Sequence, residues 1–253
     1  MIKEGETVQL SDGKNRFFLK VKKGEIFGTH KGNINHDDII KTGYGGEVKT
    51  HKGHTFIVLR PTIHEIIMYG IKRKTQIVYP KDSGYITLKL GITDGMKVLE
   101  SGVGSGGLTI VMANAVKPSG KIYCYEKEEK YIKNAYENIK LAGLEKYVEI
   151  KHQSLEMPLP ENFFDAGFID VREPWLFMEN IKNSLKKGAP IGFILPTTNQ
   201  VSRTVQALKE NNFIDIQVVE LLERHYKPVP DRLRPEDRMV AHTGYLIFGR
   251  KGW

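Results

Sequence analysis

VLESGVGSGGLTI, residues 98–110, carries an apolar run through a loop with glycines at 102, 104, 106 and 107 into a helix-like run. A strand ending in a glycine loop that opens a helix is how an α/β sheet presents a nucleotide-like cofactor at its carboxyl edge. The glycines stand where a side chain would collide with the ligand. The candidate cofactor contacts are therefore Glu100, which closes the apolar run, and Gly102, Gly104, Ser105, Gly106, Gly107 and Leu108.

The spacing fits two templates. Glu-x-Gly-x-Gly-x-Gly suits S-adenosylmethionine, and Gly-x-Gly-x-x-Gly, through Gly102, Gly104 and Gly107, suits a dinucleotide. The surrounding pattern separates them. KVLE, KIYCYE, YVEIKH, FDAGFID and PIGFILP read as strands, with helical runs such as LTIVMANAV, EEKYIKNAYENIKLAG and NQVSRTVQALKENN between them. This alternation predicts an α/β fold with a mostly parallel, doubly wound sheet. The last two strand-like runs, DIQVVELL and MVAHTGYLIFGRK, have no helix between them and should pair antiparallel. An inserted antiparallel final strand distinguishes methyltransferase sheets from dinucleotide sheets.

Two acids close strands at the expected cofactor edge. Glu126 lies 20 residues beyond Gly106, where a carboxylate accepts hydrogen bonds from both ribose hydroxyls of an adenosine; Lys127 follows it. Asp170 ends FDAGFID and faces the same crevice, with a plain helix-capping role as the alternative. Gln153 and Ser154 follow the third strand, near the expected position of the cofactor's adenine. Asp82 reads as a cap for the helix after Tyr79-Pro80, and Asn199 and Gln200 stay unassigned. His51 and His54 are too sparse for a metal site, so no metal is inferred.

Residues 1–60 read instead as short strands, RFFLKV, EVKT and HTFIVLR, between glycine-rich turns, and Pro61 opens a helical run to residue 74. Two domains are expected: a small β-rich one over residues 1–75 and a catalytic one over 76–253. The net charge is +8, and residues 1–80 hold 14 Lys/Arg against 8 Asp/Glu. A basic module beside a near-neutral α/β half points to a polyanionic partner, RNA or DNA first. No window is apolar and long enough for a membrane span, and MIKEGETVQL lacks a signal-peptide core, so a cytoplasmic protein is expected. The lone Cys124, inside an apolar run, is expected as a small core residue.

QIVYPKD (76–82), ESGVGSGGLT (100–109), Asp170 with Pro174-Trp175, LPTTNQV (195–201), and the tail from ELLERHY through RPEDRMVAHTGYLIFGRK give the chain a specific resemblance. It resembles the TrmI family of tRNA (adenine-N1) methyltransferases, which modify position 58 of the T-loop. The resemblance implies a Rossmann-like S-adenosylmethionine-binding domain, a small N-terminal β domain, a homotetramer, tRNA as partner, and action at adenine 58 with 57 as a second candidate. It also implies that Asp170 orients the target base and that Tyr79 lies at the active site. The chain departs from many members in Asp170-Val-Arg-Glu-Pro174, where proline follows the acid later. Competing readings are a non-catalytic tRNA-binding subunit on the same scaffold, a methyltransferase for another substrate, and a dinucleotide oxidoreductase.

Overall fold

A computed structural model describes residues 1–252. The amino-terminal part builds an antiparallel sheet from β1 (Thr7–Ser11), β2 (Arg16–Lys20), β5 (Glu47–Lys49) and β6 (Thr55–Leu59), in the order β2-β1-β6-β5. Between β2 and β5 lie a hairpin, β3 (Ile26–Thr29) with β4 (Gly32–Asn35), and helix α1 (His36–Thr42). Val8, Leu10, Ile39, Phe56 and Val58 are fully buried here and form a separate apolar core. The alternation in β6, with Phe56 and Val58 inward and Ile57 outward, is the period-two pattern of a sheet with one wet face.

The helix expected over residues 61–74 is shorter. A helical turn, α2 (Ile63–Glu65), begins with a capping box between Thr62 and Glu65 and runs into a π turn at Ile66–Gly70. The chain then extends, because side chains of a distant helix capture its backbone. Lys72 donates its N–H to Asn138 Oδ1 (2.9 Å), and its carbonyl accepts from Asn134 and Asn138 Nδ2 (3.0 and 2.9 Å).

The remainder alternates as expected. Helix α3 (Pro80–Lys89) precedes β7 (Lys97–Ser101), α4 (Gly107–Val116), β8 (Lys121–Glu126), α5 (Glu129–Leu141), β9 (Val148–His152) and β10 (Ala166–Ile169). There follow α6 (Met178–Ser184), β11 (Pro190–Leu195), α7 (Thr198–Glu210) and β12 (Phe213–Val219). A long arm carries the short pair β13 (Tyr226–Lys227) and β14 (Arg234–Pro235), and β15 (Tyr245–Lys251) ends the fold. The seven-stranded sheet has the order β12-β15-β11-β10-β7-β8-β9. β15 is antiparallel to both β11 and β12, so the expected antiparallel strand is inserted between them.

Each face of this sheet has its own apolar layer. Val98, Ile122, Phe168 and Phe248 pack with α3, α4 and α5, whereas Leu99, Ile169, Ile191 and Phe193 pack with α6 and α7. Cys124 is fully buried, as expected. Among the described residues, no helix is long and apolar enough to cross a membrane.

Gly192 shows how tightly the sheet is packed. It pairs with Phe168 on one side and Phe248 on the other. A Cβ there would lie 2.8 Å from Phe168 Cδ2 and 3.1 Å from Phe248 Cε1, so the two rings fill the missing side chain's place. Gly192→Ala should destabilise the protein by about 1–3 kcal/mol through overpacking. Calorimetric melting would show the midpoint falling by several degrees; an unchanged midpoint would mean the rings move apart without cost.

Candidate active site

Strand order at the carboxyl edge lays the candidate residues out in a row. A cavity of about 720 Å³ runs along that edge. Its lining includes Thr243 ahead of β15, Ile194 and Pro196 at the end of β11, and Asp170 through Glu173 after β10. It continues through Ser101, Gly102 and Gly104 at the end of β7, Glu126 and Lys127 at the end of β8, and Gln153 and Ser154 after β9. Residues 75–78 also contribute. The sheet's connections run outward in opposite directions from β7 and β10, so the cavity lies across the point where the strand order reverses.

The glycine loop is shaped by near-contacts. Gly102 has φ +87°, and a Cβ on it would lie 2.0 Å from the carbonyl oxygen of Asp170. Gly104, at φ +50°, would bring a Cβ within 2.7 Å of Thr75 Oγ1. No other side chain fits either position without moving backbone or neighbour. Ser105, Gly106, Gly107 and Leu108 do not line the cavity. Ser105 Oγ instead accepts the N–H groups of Lys74 and Thr75, both at 3.0 Å, and stitches the segment before α3 onto the loop. Gly106 caps α4, and Gly107 and Leu108 are its first buried residues.

Three acids meet here in different states. Glu126 is almost wholly buried, yet part of the cavity wall; Oε1 accepts from Glu128 N–H at 2.9 Å and Oε2 from Gly104 N–H at 3.4 Å. Its carboxylate is thereby held against the glycine loop. Asp170 is exposed to the cavity, and its backbone N–H is fixed to Ser101 O at 2.8 Å. Among the described residues, none donates a hydrogen bond to its carboxylate. Partial desolvation against the cavity wall and, second, the nearby Glu126 carboxylate push its pKa above the usual aspartate range.

Glu100 differs from both and does not reach the cavity. On β7 it shares a side with Val98, so its carboxyl points towards the α4 layer, 2 % exposed, and accepts from Cys124 Sγ at 3.0 Å. Burial raises its pKa to about 7.

Tyr79 also stands off the lining. It is half-buried at the N-cap of α3, and its hydroxyl accepts from Gln76 Nε2 (3.2 Å), whose residue does line the cavity. Asp82 is not a cap: it is fully buried in the first turn of α3, bound by Lys81 and Thr243. Of the later arginines, Arg172 lines the cavity, while Arg234 pairs with Asp237 at 3.0 Å. Gln200 donates to the Arg172 carbonyl at 2.9 Å and so holds the loop after β10.

The donor set fits S-adenosylmethionine. A buried carboxylate against the glycine loop suits ribose hydroxyls, and Gln153 and Ser154 border the end beyond it.

Known proteins resemble this chain along nearly its whole length. Residues 53–233 match the family model described as the tRNA methyltransferase complex GCD14 subunit, and residues 1–46 match the TrmI-like N-terminal model. The tRNA (adenine(57)-N(1)/adenine(58)-N(1))-methyltransferase TrmI of Methanocaldococcus jannaschii is 35% identical, over 95% of this chain and 93% of that protein. The crystal structure of tRNA (m1A58) methyltransferase TrmI from Aquifex aeolicus superposes with a TM-score of 0.80 at 43% identity, covering 99% of this chain and 98% of that one. A Thermotoga maritima structure described as a SAM-dependent O-methyltransferase superposes with a TM-score of 0.86 at 40% identity, covering 100% of this chain and 95% of that one. With its glycine loop, inserted antiparallel strand and full-length matches, the chain belongs to the GCD14/TrmI family of tRNA methyltransferases.

Proposed function

We propose that this protein methylates N1 of adenine 58 in the tRNA T-loop with S-adenosylmethionine as donor, and that adenine 57 is its second candidate target. The observation that carries this reading is Asp170: a carboxylate open to the cavity and without a hydrogen-bond donor among the described residues, between the Glu126 end and the Ile194–Pro196–Thr243 end. The names of the Methanocaldococcus and Aquifex relatives support the choice of target.

S-adenosylmethionine supplies an electrophilic methyl group on a positively charged sulfur. Glu126 holds the ribose, and the glycine loop accommodates the chain beside it. The remaining end of the cavity, over β10, β11 and β15, is left for the target base. N1 of an unpaired adenine carries an in-plane lone pair, so methyl transfer needs no prior proton removal. The new N–C bond forms as the S–C bond breaks, and the positive charge moves onto the purine. Asp170 accepts hydrogen bonds from the exocyclic N6, which orients the ring and stabilises the arriving charge.

A T-loop adenine must leave its stack to enter such a crevice. Residues 1–75, with their excess of Lys and Arg, are assigned the grip on the tRNA backbone, and residues 76–253 the chemistry. Leu222, Tyr226, Val229, Leu233 and Val240 expose apolar surface on the arm between β12 and β15, which suits assembly with further copies of the chain.

Methyl transfer from labelled cofactor to unmodified tRNA, with the product nucleoside identified by mass spectrometry, tests the reading. 1-Methyladenosine that disappears when adenine 58 is replaced is the expected outcome; ribose methylation, or none, would overturn it. Asp170→Ala should slow transfer about a hundred- to a thousandfold, the scale for removing one preorganised electrostatic contact, while cofactor affinity changes little. Glu126→Ala should chiefly weaken cofactor binding, read by calorimetric titration. Because Asp170 acts as a carboxylate and its pKa is raised, kcat/KM should fall as pH drops from neutrality, at higher pH than an ordinary aspartate would dictate. A profile flat down to pH 4.5 would remove Asp170 from this role.

A further inference from the structure

Lys81 and Asp82, adjacent at the start of α3, form a nearly dry ion pair: their side chains are 10% and 0% exposed. Lys81 Nζ donates to Asp82 Oδ1 (2.8 Å) and Oδ2 (2.9 Å), to the Leu221 carbonyl (2.8 Å) and to Thr243 Oγ1 (2.6 Å). Thr243 Oγ1 in turn donates to Asp82 Oδ2 at 2.8 Å. The three side chains close a ring in which every polar group is used. Leu221 and Thr243 are the two stems of the arm between β12 and β15, so one ammonium group ties both stems to α3.

The residues flanking Thr243 anchor to the cavity as well. His242 places Nδ1 2.7 Å from Glu220 Oε1 and Nε2 3.0 Å from the Pro196 carbonyl. Gly244, at φ +154°, lies so close to β11 that a Cβ would fall 2.7 Å from Ile194 Cγ1. Ile194, Pro196 and Thr243 all line the cavity at the end away from Glu126. Thr243 thus lines the cavity itself, while His242 and Gly244 on either side of it lie against the end of β11, which supplies Ile194 and Pro196 to the same wall.

We propose that Lys81, Asp82 and Thr243 are positioning residues for the target base: their ring fixes Thr243, beside Ile194 and Pro196, in the wall against which the base is seated next to Asp170. This rests on the assignment of that end of the cavity to the base. A buried ion pair is a weak source of stability, since a well-packed apolar pair of similar volume serves as well or better. Its value here is geometric. The Thr243 hydroxyl is committed to Lys81 and Asp82, so it shapes the wall and leaves recognition of the base to Asp170.

Thr243→Val tests the proposal in the full-length protein, because it deletes one hydroxyl and leaves the ion pair in place. Single-turnover methyl transfer to tRNA at saturating cofactor should slow about tenfold, with cofactor affinity within twofold of wild type. Thr243→Ser, which restores the hydroxyl, should recover at least half of the wild-type rate. Amide exchange at residues 241–244 should quicken in Thr243→Val and stay unchanged at residues 121–126. A wild-type rate in Thr243→Val would overturn the proposal, as would equal losses in the Val and Ser variants or a loss of cofactor affinity matching the loss of rate. A wild-type protein that methylates no tRNA would overturn the underlying reading and this proposal with it; that failure is told apart because it appears without any substitution.

Discussion

The close approach of Gly102 to the carbonyl of Asp170 is the constraint on which the site depends. β7 and β10 are neighbours, and their ends stay paired beyond the strands through the Asp170 N–H to Ser101 O bond. A side chain at position 102 would occupy the space of that carbonyl. With glycine there, the chain leaves β7 towards α4 while the chain from β10 turns towards α6, and the crevice opens between them. Glu126 falls on one side of this division and the Ile194–Pro196–Thr243 wall on the other. Two ligands can meet over Asp170 because the sheet edge parts at this place.

Much of this was legible from residue pattern because its causes are local. Buried parallel strands such as AGFI and PIGFIL are short apolar runs, and the glycine loop states its own backbone demands. Other features have distant causes. The run after Pro61 is helical in pattern, yet it stops at Gly70 because Asn134 and Asn138, more than sixty residues later, take the hydrogen-bonding groups of Lys72. Asp82 resembles a helix cap, and its half-buried partner Thr243 lies 161 residues away. Glu100 is instructive in another way. Alternation along β7 puts it on the same side as Val98, towards α4, so strand parity already argued for a buried carboxyl rather than a ligand contact. Tyr79 likewise sits in a telling motif but reaches the lining only through Gln76.

On the proposed reading, the carboxylates at the cavity suit a cationic cofactor. Glu100, Glu126 and Asp170 lie on adjacent strand ends, and Glu126 raises the pKa of the other two. Glu100 is sealed from water, and that burial is the main reason its pKa rises to about 7. The cavity that Glu126 and Asp170 face has more acidic than basic side chains in its lining, with Lys127 and Arg172 as the bases. On the proposed reading, a sulfonium enters that space and a neutral thioether remains after transfer, so the protein's electrostatic attraction is greatest for the reactant. The charge itself moves onto the purine, away from the Glu126 end. Asp170, to whose carboxylate none of the described residues donates a hydrogen bond, stands between the two ends and can stabilise the charge as it arrives on the purine. A base seated loosely against the far wall would forfeit that contact, which is why rigid support from residues far from Asp170 in sequence matters to the chemistry.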